Sequence, residues 1–153
     1  MALSGEQARE IYIDASGHIL GRLASYVAKK LLEGYKVYVF NVEKIVVSGK
    51  KNMVVDSYKR TILGVRSHFS HKWRPKRPRS PVRIFKHAVR GMLPKHNKRG
   101  REALKRLKAY IGLPDEFKGK ALTRIPQADS SRLSRWHVEL AIIARELGWR
   151  GGE

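Results

Sequence analysis

The chain has 153 residues, with 33 Lys plus Arg against 13 Asp plus Glu, so its formal charge is +20. Length suits one domain, able to bury roughly 70% of its unfolded surface without staples, and 42% hydrophobic residues are too many for an unfolded basic tail. The absence of cysteine excludes disulfides, thiolate nucleophiles and every Cys-containing metal site. The N-terminus lacks a basic start followed by an apolar run, and no stretch reaches the ~20 apolar residues of a bilayer span, so a soluble cytoplasmic protein is expected.

In chain order, Ile11, Tyr12 and Ile13 form a short β-branched and aromatic strand, closed by the turn cluster of Asp14, Ala15, Ser16 and Gly17. Ile19, Leu20, Leu23, Val27 and Leu31 recur at helical spacing, with Lys29 and Lys30 late and Gly34 as a stop. Residues 37–40, VYVF, suit a strand buried on both faces, and strand, helix and strand together make a βαβ unit with a parallel pair. A third strand fits either residues 45–47 or residues 61–65, with a helix over 52–59 between them. Two helices are expected next: one opening at Ser80 and Pro81 and burying Val82, Phe85, Val89 and Met92, the other over 101–111 burying Leu104, Leu107 and Ile111. Residues 121–125, ended by Pro126, read as a last strand. An amphipathic helix over 130–149 is marked by Leu133, Trp136, Leu140, Ala144 and Leu147, with His137 near its apolar side.

Charge divides the chain more sharply than hydropathy does. Residues 59–108 hold eighteen Lys or Arg and one acid, Glu102, a net +17, while the remainder carries only +3. Such density opposes compaction unless a polyanion is present, and mixed-sign solvated faces do not look like this. Within it, residues 71–81 place five cations and three prolines around Trp73, an extended arm expected to lack order before it meets its partner.

Other chemistries are poorly served. The glycines after the first strand do not make GxGxxG, and the Gly49-Lys50 pair lacks the upstream glycine and following Ser or Thr of a P-loop, so a tight turn with close helix packing accounts for both. A metal at His68 and His71 would be repelled by Arg66, Lys72 and Arg74. Asp14, Glu43, Asp56, Asp115 and Asp129 are scattered, no GxSxG occurs, and the basic segment lacks the clustered acids of a magnesium nuclease. Neither catalytic residues, nor a cofactor, nor a metal is therefore expected. RNA is favoured over DNA as the polyanion, because a cationic arm on a helical platform can thread between irregular folded segments, whereas duplex grooves reward a symmetric reader.

Residues 13–24, IDASGHILGRLA, continue at 39–49 as VFNVEKIVVSG, and residues 88–94, AVRGMLP, precede KHNKRGREALKRLKAYIGLPDEF. These stretches resemble the large-subunit ribosomal protein family L-thirteen in its archaeal and eukaryotic branch, over roughly residues 10–149. The resemblance implies an α/β fold, a three-layer α/β/α sandwich with a mainly parallel four-stranded sheet. It also implies a structural role in the ribosome: binding large-subunit ribosomal RNA during assembly and touching neighbouring ribosomal proteins, without enzyme activity. A single domain is expected, residues 1–58 and 112–149 forming the framework and 59–111 a basic arm and helices. The residues expected at RNA are Lys59, Arg60, Arg66, His71, Lys72, Trp73, Arg74, Lys76, Arg77 and Arg79, then Arg83, Lys86, Arg90, Lys95, Lys98, Arg99, Arg101 and Lys105. A free translational regulator would use the same surface and is the runner-up reading. An RNA-acting enzyme would need acids that are missing, and a DNA-compacting protein would need comparable affinity for duplex DNA.

Overall fold

The computed structural model describes residues 9–61, 77–133 and 136–151. β1 (Glu10–Asp14) runs into α1 (Leu20–Leu32) and returns as β2 (Lys36–Phe40), in parallel register with Tyr12 opposite Tyr38. This is the βαβ unit expected from the sequence. Gly34, at φ +98°, ends α1 in the left-handed conformation that glycine adopts without a Cβ clash.

β2 is flanked on its other edge by β4 (Leu107–Ala109), also parallel, so the main sheet runs β1-β2-β4. The helix expected over 101–111 is thereby corrected. α4 (Lys98–Lys105) stops four residues after Arg101, and Leu107, Lys108 and Ala109 alternate buried, exposed and buried in the two-residue period of a strand. Arg106 is the C-cap of α4, and its Nη2 donates to the Leu31 carbonyl at the end of α1, 2.7 Å away.

A fourth strand at 121–125 is corrected too, because contact with the sheet is a single bridge between Ile13 and Thr123. The Thr123 N–H donates to the Tyr12 carbonyl and its own carbonyl accepts from Asp14, but two residues later the Ile125 N–H turns away to His18 Nε2 at 3.0 Å. His18 is almost wholly buried, and its other ring nitrogen lies 3.2 Å from the Ser16 carbonyl. An N–H donating to Nε2 places the ring proton on Nδ1, which donates to Ser16.

Of the two candidates for the third strand, 45–47 is nearly right: β3 is Val46–Ser48, and Thr61 follows α2 (Lys51–Lys59), with 62–65 outside the described residues. β3 does not join the main sheet. It pairs antiparallel with β5 (His137–Glu139), which interrupts the helix expected over 130–149; among the described residues of that span the helical parts are a 3-10 turn, Ser130–Arg132, and α5 (Leu140–Glu146). His137 and Trp136 are exposed, so neither belongs to an apolar helix face.

α3 (Pro81–Met92) starts as expected, with Pro81 in its first turn and Ser80 Oγ accepting from the Arg83 N–H. Its buried stripe is Pro81, Ile84, Phe85 and Val89, one ridge over from the expected face, leaving Val82 half-buried and Met92 exposed. The core lies between one face of the main sheet and the helices: Ile13, Val37, Val39, Leu107 and Ala109 against Leu23, Val27 and Leu31 of α1 and Phe85 and Val89 of α3. Each fully buried aliphatic or phenyl side chain of this set stabilises by about 1.5–3 kcal/mol.

The opposite face of the sheet carries Tyr12, Tyr38, Phe40 and Tyr110. Tyr12 stacks on Tyr38 at 5.1 Å between centroids and Phe40 on Tyr110 at 5.6 Å. Among the described residues the rings over them come from a 3-10 turn, Asp115–Phe117, whose Phe117 ring lies 5.2–6.0 Å from all four. Among the described residues a helical third layer is not found over that face. The fold is α/β with a three-stranded parallel sheet and a separate two-stranded pair.

Candidate nucleic-acid interface

Two helices build the described part of the basic surface. Because Ile84, Phe85 and Val89 take the inward stripe of α3, Arg83 and Arg90 are left exposed and Lys86 half-buried one turn apart. The approach to α3 adds Arg77 and Arg79, both exposed. Arg77, Arg83, Lys86 and Arg90 converge on an open cleft of about 300 Å³, shared with His87, Pro78 and Leu104. Arg77, Pro78 and His87 also line an adjoining cleft of about 180 Å³ that reaches Tyr58 and Thr61 at the end of α2. Burial pushes the Tyr58 phenol above its ordinary pKa. None of the residues lining either cleft is acidic, so convergent guanidinium and ammonium groups face solvent with no competing carboxylate. Guanidinium forks match phosphate bidentately and ammonium groups add point charge.

Not every predicted cation is equally free. Lys59 Nζ lies 3.3 Å from Glu146 of α5, which also draws Lys51 to 3.8 Å, and Lys98 is 3.8 Å from Glu102 one helical turn on. Exposed pairs of this kind are worth only ~0–1 kcal/mol, which leaves the ammonium groups able to exchange partners. Arg99 Nη2 lies 3.5 Å from the Leu32 carbonyl, drawing it toward the C-terminal end of α1. Arg60, Lys95, Arg101 and Lys105 are exposed. Arg66, His71, Lys72, Trp73, Arg74 and Lys76 lie outside the described residues.

Between α3 and α4, residues 93–97 are held by a close approach. Gly100, inside α4, sits so near Pro94 that an added Cβ would collide with the Pro94 carbonyl oxygen. The glycine thus fixes where Lys95 and Lys98 stand relative to Arg90. Sequence reading passed over His87, which lines the cleft and whose position one after Lys86 on α3 was the available signal, and it placed inside a helix Trp136, which is exposed with Lys50 Nζ 6.0 Å from its ring centroid. Trp136 was hidden by helical spacing that matched a core.

Among the described residues there is no group of three His, Cys, Asp or Glu able to hold a metal, and no helix long and apolar enough to cross a membrane.

Comparison with known proteins places the chain in context. Residues 8–116 match the family model described as Ribosomal protein L13. The chain is 64% identical over 152 residues to the large ribosomal subunit protein uL13 of Aeropyrum pernix, covering 99% of this chain and 98% of that one. It is 46% identical over 146 residues to the protein of the same name from Saccharolobus solfataricus, covering 95% and 97%. With the Archaeoglobus fulgidus protein it shares 45% over 141 residues, covering 91% and 88%.

Proposed function

Because this chain belongs to the Ribosomal protein L13 family, we propose that it is a structural, non-catalytic constituent of the large ribosomal subunit that binds ribosomal RNA and supports subunit assembly. The observation that carries the RNA reading is the convergence of Arg77, Arg83, Lys86 and Arg90 on one cleft lined by no acid. Arg83 and Arg90 take phosphates bidentately; Arg77, Arg79 and Lys86 flank them; Lys95, Lys98, Arg99, Arg101 and Lys105 extend the track across α4. Lys59 and Arg60 sit where the 62–76 segment departs, and Arg66, His71, Lys72, Trp73, Arg74 and Lys76 of that segment carry the interface onward, with Trp73 stacking on an exposed base. The chain works as one unit in cytoplasmic ribosomes, residues 1–58 and 112–149 serving as framework together with β4, and the rest of 59–111 as the RNA-binding insertion, with other large-subunit proteins as neighbours.

The test is the salt dependence of binding to a large-subunit ribosomal RNA transcript. Arg90→Ala should weaken binding and reduce the slope of log affinity against log salt by about one. An unchanged affinity and slope would remove Arg90 from the interface. Sedimentation of a native lysate at increasing salt reads the same proposal in its natural setting, where stoichiometric migration with the large subunit is expected and a soluble pool would contradict it.

A further inference from the structure

The outward face of α1 lies outside the 59–111 segment, yet it has a cationic groove of its own. Leu23, Val27 and Leu31 take the inward stripe, so Arg22, Ser25 and Lys29 face solvent on successive turns. Across from them runs the 125–132 stretch, fastened to the start of α1 by the Ile19 N–H donating to the Ala128 carbonyl at 2.7 Å. Arg22 Nη1 reaches the Gln127 carbonyl at 3.5 Å. Between the two lies an open cleft of about 880 Å³ that also takes in Tyr26 and Arg132.

No carboxylate is among the residues lining this cleft. Lys30 lines it too but is engaged elsewhere, its Nζ 2.7 Å from Glu33 and over the rings of Tyr26 and Tyr35. Arg22, Lys29 and Arg132 remain as exposed cations. The near-neutral total of the framework conceals them because acids that offset them in the sum are held by other partners: Asp14 by Asn41 and Ser16, Glu43 by the Gly112 N–H, Glu33 by Lys30, and Asp129, within the 125–132 stretch, by the Ser131 N–H. The cleft is also continuous with the basic surface already described. A second cleft of about 550 Å³ shares Ser25 and Lys29 with it and is also lined by Met92, Arg99 and Glu33, the last paired with Lys30.

Arg22 and Lys29 stand about 10 Å apart along the helix axis, too far for one phosphate to serve both. We propose that the groove between α1 and the 125–132 stretch binds a second, single-stranded segment of ribosomal RNA, with backbone phosphates on Arg22, Lys29 and Arg132. The inference rests on the RNA-binding reading above and extends it to a face that the 59–111 segment does not supply.

The experiment compares two variants of the full chain on a large-subunit ribosomal RNA transcript, by binding over a salt series and by hydroxyl-radical footprinting. Arg22→Gln, Lys29→Gln and Arg132→Gln combined should lower the salt slope by about two, since each single-strand phosphate contributes about 0.7. That variant should also lose a set of RNA protections distinct from those lost when Arg83, Arg90 and Arg101 are changed to Gln. Ser25→Glu, at an exposed helix position, sets a like charge against the phosphates and should weaken binding about tenfold. All positions are exposed, so a melting temperature no lower than the parent's is the control for folding. An unchanged slope and footprint in the α1 variants, with the α3–α4 variant losing its own protections, overturns this inference and leaves the first reading standing. No change in either set overturns both. RNA binding that stays normal while the α1 variant drops out of reconstituted subunits would assign the groove to an acidic protein neighbour and overturn the RNA assignment.

Discussion

Asp14 shows how one side chain sets the turn on which the βαβ unit depends. Its Oδ1 accepts from the Ser16 N–H, the Ser16 hydroxyl and Asn41 Nδ2, at 2.8–3.1 Å. Burial opposes its ionisation, but the bonds from Asn41 and Ser16 outweigh that and hold the carboxyl below its ordinary pKa. The unfolded chain therefore takes up the proton first as pH falls. The contribution of Asp14 is complete above the ordinary carboxylate value of about 4 and is lost as pH drops through the lower folded value. Asp14→Asn should flatten that acid limb, seen as a smaller difference in urea midpoint between neutral and acid pH than the parent shows. Gly100 sets a different constraint. Alanine there gains ~1 kcal/mol of helix propensity, yet its methyl must displace the Pro94 carbonyl. Overpacking typically costs about 1–3 kcal/mol, so Gly100→Ala should lower the melting temperature and, by moving Lys95 against Arg90, weaken RNA binding as well.

At the scale of elements, the Asp115–Phe117 turn lays one ring over the sheet face opposite the core. Phe117 meets Tyr12, Tyr38, Phe40 and Tyr110, and aromatic pairs are worth about 0.5–1.5 kcal/mol each beyond burial. Phe117→Ala should destabilise by ~2–3 kcal/mol and reduce the near-ultraviolet circular dichroism of the tyrosines, readable in thermal unfolding and in the spectrum. The βαβ unit, α2 and the capped start of α3 were legible because period, cap and stop residues agree locally. What misled was a pattern that two structures share. Leu104, Leu107 and Ile111 fit a helix, but Leu107 and Ala109 equally fit a strand, and only the place beside β2 decides. Leu133, Trp136 and Leu140 likewise fit a helix, while β3 needs a partner and takes it from residues 137–139. The crowding of cations along residues 59–108 was legible from charge alone. The α1 groove was not, because pairing within the framework cancels in a sum over sequence and is resolved only in space.

For the whole molecule, a formal +20 sets long-range repulsion against a handful of exposed ion pairs. Salt weakens both, but each such pair is worth less than about 1 kcal/mol, whereas repulsion among many like charges is summed over distances that a Debye length of about 10 Å at 0.1 M screens. Repulsion should win: melting temperature should rise with ionic strength, and rise further in phosphate than in chloride of equal ionic strength because multivalent anions bind the folded surface. A fall with salt in thermal scans would mean that the pairs dominate.

The position of β4 in the chain has a consequence for the order of events in synthesis. β2 ends at Phe40 and its sheet neighbour begins at Leu107, so nearly all of the +17 segment lies within the loop that must close to complete the sheet. Chain entropy alone makes that closure only slightly dearer than a short one, growing by about 0.6 kcal/mol for each doubling of length. The added barrier is electrical, and it falls when anionic polymer is at hand. With RNA as that polymer, as proposed above, a nascent chain finishes its hydrophobic core fastest where RNA is already present, which couples maturation of the protein to the supply of its partner.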